Sequence, residues 1–139
     1  MPITFSFTSR SFAKSARDFA GSCVGKVLDK LREVGDECVS EARLSGSYQD
    51  RTGNLRGSIG YVVAYNGEVV SEGGFLQVGA GTDGPGTGRA LAHQKALESG
   101  TGAVLILVAG MSYARLVADK GFNVLDSADL LAERLIARL

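Results

Sequence analysis

Little in this chain of 139 residues points to metal or thiol chemistry. It holds one histidine, His93, two cysteines, Cys23 and Cys38, two prolines and no tryptophan. A lone histidine excludes a histidine-rich metal site, and two cysteines exclude a disulfide framework. Charge of one sign is also lacking. Fifteen Lys and Arg balance fifteen Asp and Glu, so no global positive field draws nucleic acid or anionic lipid, and only a local patch could. Long hydrophobic runs are missing too. The longest, Ala103 to Ala109, falls far short of the roughly 20 residues that cross a bilayer. The first residues lack the basic stretch and apolar stretch of a secretory signal, so cytoplasmic synthesis is the expectation.

What is present fits one globular domain spanning residues 1–139. Hydrophobic residues make up 45% and charged residues 22%, a balance that supports a core and argues against disorder. Glycine stands out at 19 residues, about twice the ordinary share of roughly 7%. Many of them fall between Gly73 and Gly102, which reads as a glycine-rich insertion.

From Ser9 to about Leu44 the apolar residues recur every three or four positions: Phe12, Ala16, Phe19, Cys23, Val27, Leu31, Val34, Cys38 and Ala42. That period predicts an amphipathic helix with a broad buried face, capped by Ser9 or Ser11 and ended by Gly46. About 35 residues would reach roughly 50 Å, against a radius of gyration of about 14 Å for a domain of this size. Such a helix either breaks, at Gly21 or Gly25, or lends part of its stripe to another subunit.

Residues 47–57 are polar and turn-rich, and Asp50 can cap a short helical turn. Ile59, Tyr61, Val63 and Tyr65 alternate as a strand does, and Asn66-Gly67 is a strong hairpin signal. A return strand is expected from Glu68 to about Gly79, bulged at Gly73-Gly74. Residues 80–88 read as loop, and 89–98 as a short helix. Ala103–Ala109 reads as a buried strand and Ser112–Asp119 as a helical turn. Asp126–Leu139 reads as a closing amphipathic helix capped by Ser127, with Leu130, Leu131, Leu135, Ile136 and Leu139 inward. The expected fold is α+β: a long N-terminal helix and a C-terminal helix on a small, mainly antiparallel sheet of three or four strands.

Motifs for catalysis are sparse. Gly79-Ala80-Gly81-Thr82-Asp83-Gly84 matches the dinucleotide pattern G-x-G-x-x-G. That pattern needs a helix N-terminus directly after the loop, and Pro85-Gly86-Thr87-Gly88 predicts continued loop. Thr87 stands where a Walker loop needs lysine. Ser11-Phe12-Ala13-Lys14 matches S-x-x-K without its companion motifs, so a cap and a solvated lysine are expected. Cys23 and Cys38, 15 positions apart on one predicted helix, are separated by about 22 Å of rise and cannot share a metal. His93 is expected to face solvent. No catalytic residue, cofactor site or metal site is assigned. The basic residues Arg51, Arg56, Arg89 and Lys95 lie in or near loops; Arg51 and Arg56 are the candidates for contact with DNA.

Two segments carry a family resemblance. Asp50-Arg51-Thr52-Gly53-Asn54-Leu55-Arg56-Gly57-Ser58-Ile59 is close to D-x-T-G-x-L-x-x-S. Gly110-Met111-Ser112-Tyr113-Ala114-Arg115-Leu116-Val117, followed by Lys120-Gly121, is close to Y-A-x-x-V-E-x-G. In this order they resemble the HK97 gp10-like neck and tail-completion proteins of tailed bacteriophages. The acidic residue of the second motif falls at Ala118 here, with Asp119 one place later, and the Gly73–Gly102 insertion is longer than usual for that family. The resemblance singles out Asp50, Thr52, Gly53, Leu55, Ser58, Tyr113, Ala114, Val117 and Gly121 as packing residues. It implies a structural virion protein, not an enzyme, that forms a ring, sixfold by analogy, at the head–tail neck. Its neighbours would be connector or head-completion proteins and tail-tube or tail-terminator proteins. DNA would pass through the lumen unread, no membrane would be involved, and assembly would take place in the host bacterial cytoplasm. The other reading is a small nucleotide- or ligand-binding enzyme using the Gly79–Gly88 loop.

Overall fold

A computed structural model describes residues 2–8, 24–48, 50 and 52–137. The elements are β1 (Ile3–Thr8), α1 (Val24–Ser45), α2 (Asn54–Gly57), β2 (Ile59–Tyr65), β3 (Glu68–Gly74), α3 (Asp83–Glu98), β4 (Ala103–Ala109), α4 (Ala114–Asp119) and α5 (Asp126–Ile136). The fold is α+β, with helices flanking a four-stranded sheet in the order β1-β4-β2-β3 and every pair antiparallel.

β4 is the centre of this sheet. Its seven residues, AVLILVA, are all buried, because both faces of the strand are covered. Leu105 and Leu107 point to one core with Leu31, Val34, Cys38, Tyr61 and Val63. Val104, Ile106 and Val108 point to a second core with Val62, Ala64, Ala92 and Ala96. Alternate side chains of a strand face opposite ways, so one apolar run feeds both cores. β2 is buried on both faces in the same way.

The first core lies under α1 and α5. The stripe Leu31, Val34, Cys38, Ala42 is buried as the spacing predicts, and α1 ends at Ser45, just before Gly46. At 22 residues α1 is not unusually long. Gly25 lies in its first turn, and the expected stretch Ser9–Cys23, with its caps, the Ser11–Lys14 motif and Gly21, lies outside the described residues. Tyr61 fills the gap between α1 and β3. A Cβ on Gly35 would sit 2.5 Å from the Tyr61 ring, and so would one on Gly73, while the Tyr61 hydroxyl donates to Asp36 Oδ1 at 2.8 Å.

Several expectations need correction. β1 pairs along β4 from Ile3–Ala109 to Thr8–Val104; this strand was not expected. β3 stops at Gly74, not Gly79, and the register shift falls between Val63 and Ala64 rather than at Gly73-Gly74. The chain turns there because Gly74 and Phe75 both have positive φ, 81° and 54°. Residues 83–88 are helix, not loop. Pro85 is tolerated because it falls in the first turn, where its missing N–H has no intrahelical partner to lose. Ser127 does not cap α5; its own N–H donates to Asn123 Oδ1 at 3.2 Å. Leu130 faces solvent, and the buried residues of α5 are Ala128, Ala132 and Ile136. Leu139 lies outside the described residues.

The second core lies under α3. This helix buries Gly84, Gly88, Ala92 and Ala96, a stripe of small residues at four-residue spacing. A Cβ on Gly84 would fall on the Asn54 carbonyl, and one on Gly88 on the Ser58 carbonyl. α3 therefore lies with its backbone directly against the chain entering β2.

Candidate functional site

The first resemblance segment folds as a staple of hydrogen bonds. Asp50 Oδ1 accepts from Gly53 N at 3.1 Å, and Oδ2 accepts from Arg56 N at 2.8 Å. Thr52 Oγ1 accepts from Asn54 N at 3.2 Å. These acceptors meet amide groups at the start of α2 that no helical carbonyl can reach. Gly53 has φ 83°, and a Cβ there would fall on the Val78 carbonyl. That position needs glycine twice over, for conformation and for space. Leu55 is then carried into the core, 1% exposed.

Asn54 reaches further. Its Oδ1 accepts from Asp83 N at 3.1 Å and from Gly84 N at 3.0 Å, and so caps α3 from another part of the chain. Thr82, at the cap position itself, makes no such bond. A helix does begin at Asp83, within the Gly79–Gly84 pattern, so the objection raised from sequence is removed. The amides that would face a pyrophosphate are instead turned to the Asn54 side chain.

The second segment joins the first at Ser58. The buried Ser58 hydroxyl donates to Leu55 O at 2.7 Å and accepts from Gly110 N at 3.0 Å. A Cβ on Gly110 would fall on Gly88 Cα, so α2, α3 and the end of β4 meet at one point. Beyond it Ala114 is fully buried. Tyr113 and Val117 pack half-buried against the same core, and Gly121 leaves α4 with φ 91°. Burial raises the Tyr113 hydroxyl above its ordinary pKa, and the nearby Asp50 carboxylate adds to this. Ala118 is half-buried and Asp119 exposed.

The arginines proposed for DNA divide. Arg51 lies outside the described residues. Arg56 turns inward: its guanidinium sits 4.6 Å from the Tyr48 ring centre and donates to Gly46 O at 3.0 Å. Arg43 Nη2 donates to Ile59 O at 3.5 Å. Arg43 Nε and the Tyr48 hydroxyl are buried without a hydrogen-bond partner among the described residues. Burial pushes the Tyr48 hydroxyl up to about 12, against the opposing pull of Arg56, and lowers Arg43 from its ordinary value.

On the opposite face of the sheet lies a cluster that sequence reasoning missed. His93 Nε2 is 2.7 Å from Glu72 Oε2, and Arg89 clamps the same carboxylate with Nη2 at 2.8 Å and Nε at 3.1 Å. His93 holds Glu72 below its ordinary value, helped by Arg89. His93 and Arg89 lie one turn apart on α3, whereas Glu72 comes from β3. Only the helical half of the cluster had a signal in the spacing.

Cys38 is fully buried, and its thiol is pushed up to about 12 by burial first and by Glu37 and Asp129 after it. A thiol in that state is neither nucleophile nor metal ligand. Cys23 lies outside the described residues. Among the described residues no three His, Cys, Asp or Glu side chains are grouped to hold a metal ion, and no helix is long and apolar enough to cross a membrane. No family model, no curated protein and no solved structure matches the chain.

Proposed function

We propose that this chain is a structural virion protein of a tailed bacteriophage. It assembles with copies of itself into a ring at the head–tail neck and performs no catalysis. The reading starts from the resemblance carried by Asp50–Ser58 and Tyr113–Gly121. It is supported by the way those segments meet: Asp50, Thr52, Asn54 and Ser58 direct their polar groups to backbone amides. Such a joint holds shape and offers no reactive group to a substrate.

The observation that carries the reading is the apolar surface left outside. Leu44, Leu76, Leu97, Leu116 and Leu130 are exposed by 86%, 61%, 80%, 62% and 66%. One exposed leucine is ordinary. These five lie on α1, α3, α4, α5 and the segment between β3 and α3, so a copy packed on any of several sides would cover at least one of them. Both edge strands, β1 and β3, are unpaired on their outer sides among the described residues, and subunit contacts are one of the ways proteins cover such edges. In the ring, connector or head-completion proteins would lie on one side and tail-tube or tail-terminator proteins on the other, with DNA passing through the hole.

The test is composition of the particle. Virions purified free of unassembled protein should contain this polypeptide in a fixed ratio to the portal, measured by quantitative mass spectrometry. Its absence from such particles would end the proposal.

A further inference from the structure

A groove of about 500 Å³ opens between β1 and α5. Phe5 and Phe7 of β1 and Asp129, Glu133 and Ile136 of α5 line it; Phe7 and Ile136 are themselves mostly buried in the core, and Phe5 is half-buried. The two carboxylates are one turn apart on α5. Burial first, and then Glu133 and Asp126, raise Asp129 from its ordinary value, so a cation placed against the two carboxylates relieves their mutual repulsion.

α4 carries the complementary surface. Leu116 is 62% exposed. Arg115 and Lys120 are exposed on either side of it, with Lys120 one helical turn on, where its N–H donates to Leu116 O at 3.2 Å. Neither Arg115 nor Lys120 has a salt-bridge partner among the described residues. The two surfaces are on different elements, the groove on β1 and α5 and the basic surface on α4. Phe5 and Phe7 pair with Leu107 and Leu105 of β4, so the groove runs along the middle of that strand.

We propose that α4 of one copy docks in the β1–α5 groove of the next, with Leu116 between Phe5 and Phe7 and with Arg115 and Lys120 against Asp129 and Glu133. A knob and a pocket on different parts of one molecule make a head-to-tail contact, which closes into a ring when the rotation allows and otherwise runs on as a filament. The inference rests on the self-assembly reading above and names the surfaces that reading leaves open.

Zero-length carbodiimide coupling of a mixture of ¹⁴N- and ¹⁵N-labelled full-length chains tests it. The expected product is a mixed-isotope link from Lys120 to Asp129 or Glu133. Reversing charge on either side, R115E/K120E or D129K/E133K, should weaken association by roughly tenfold or more, and the fourfold variant carrying both reversals should regain it. L116A, at an exposed position that leaves the fold intact, should weaken association too. Links from Asp129 or Glu133 only to lysines of the same chain would mean that the chain covers its own groove and would overturn the docking. Association that persists through both reversals would overturn the docking and leave self-assembly standing. A wild-type chain that stays monomeric in sedimentation would overturn both.

Discussion

Ser58 and Gly110 are 52 residues apart, and the Gly110 N–H donates to the buried Ser58 hydroxyl at 3.0 Å while that hydroxyl donates to Leu55 O at 2.7 Å. This single side chain ties the start of β2 to the end of β4 and holds α2 between them. Ser58→Ala removes one acceptor from a buried amide. Gly110 N keeps a longer bond to Ser58 O at 3.3 Å, so the loss should lie at about 1–2 kcal/mol. Urea denaturation measures it; an unchanged midpoint would show that the hydroxyl holds nothing together.

The small-residue stripe of α3 makes a prediction of opposite signs on one helix. Gly86 has open space around its Cβ position, whereas a Cβ on Gly88 falls on the Ser58 carbonyl. Gly86→Ala should stabilise by roughly 0.5–1 kcal/mol, through a less flexible unfolded chain. Gly88→Ala should destabilise by about 1–3 kcal/mol, because α3 must move off the backbone beneath it. Thermal melts of the two variants should shift in opposite directions. Equal shifts would contradict the close approach of α3.

Alkaline pH should loosen the first core. The Cys38 thiol is raised from 9.0 to about 12 and the Tyr48 hydroxyl from 10.0 to about 12. Both groups hold their protons more tightly in the folded chain than in the unfolded one. Their contribution is therefore complete below about pH 9 and is lost as pH rises from there to about 12. Cys38→Ala should flatten the onset of that decline, seen in denaturation midpoints between pH 9 and 10. Peptide mapping after brief thiol labelling at pH 8 should find Cys38 unmodified in the native protein.

Glu72 works in the other direction. Its folded value lies below the ordinary 4.5, with His93 as the main cause, so its contribution is present above pH 4.5 and lost as pH falls through the lower folded value. The cluster is largely exposed, so the effect on stability is small, and NMR is the better probe. His93→Gln should raise the Glu72 carboxyl titration midpoint. A midpoint unmoved by that change would contradict the 2.7 Å contact.

What could be read from the sequence follows from where the signals lay. The β2–β3 hairpin announced itself through Asn66-Gly67, β4 through an unbroken apolar run, and the buried face of α1 through its helical period. β1 had a signal that went unread: Ile3, Phe5 and Phe7 alternate over six residues. α3 was obscured because glycine and alanine carry little hydrophobic contrast. Gly84, Gly88, Ala92 and Ala96 form a buried face by being small, and counting glycines suggested loop instead. The capping of α3 by Asn54 and the pairing of Glu72 with His93 join residues 21 or more positions apart on different elements. No local pattern encodes such pairs. The two resemblance segments were legible in their order, but their meeting at Ser58 and Gly110 appears only once the sheet is assembled.

The most direct test of self-assembly is electron microscopy of the purified full-length chain at high concentration, with native mass spectrometry on the same sample. Closed rings of one stoichiometry are expected, six by analogy with the family the chain resembles, in equilibrium with the free protomer. A single monomeric species at every concentration, with particles no larger than one chain, would contradict it.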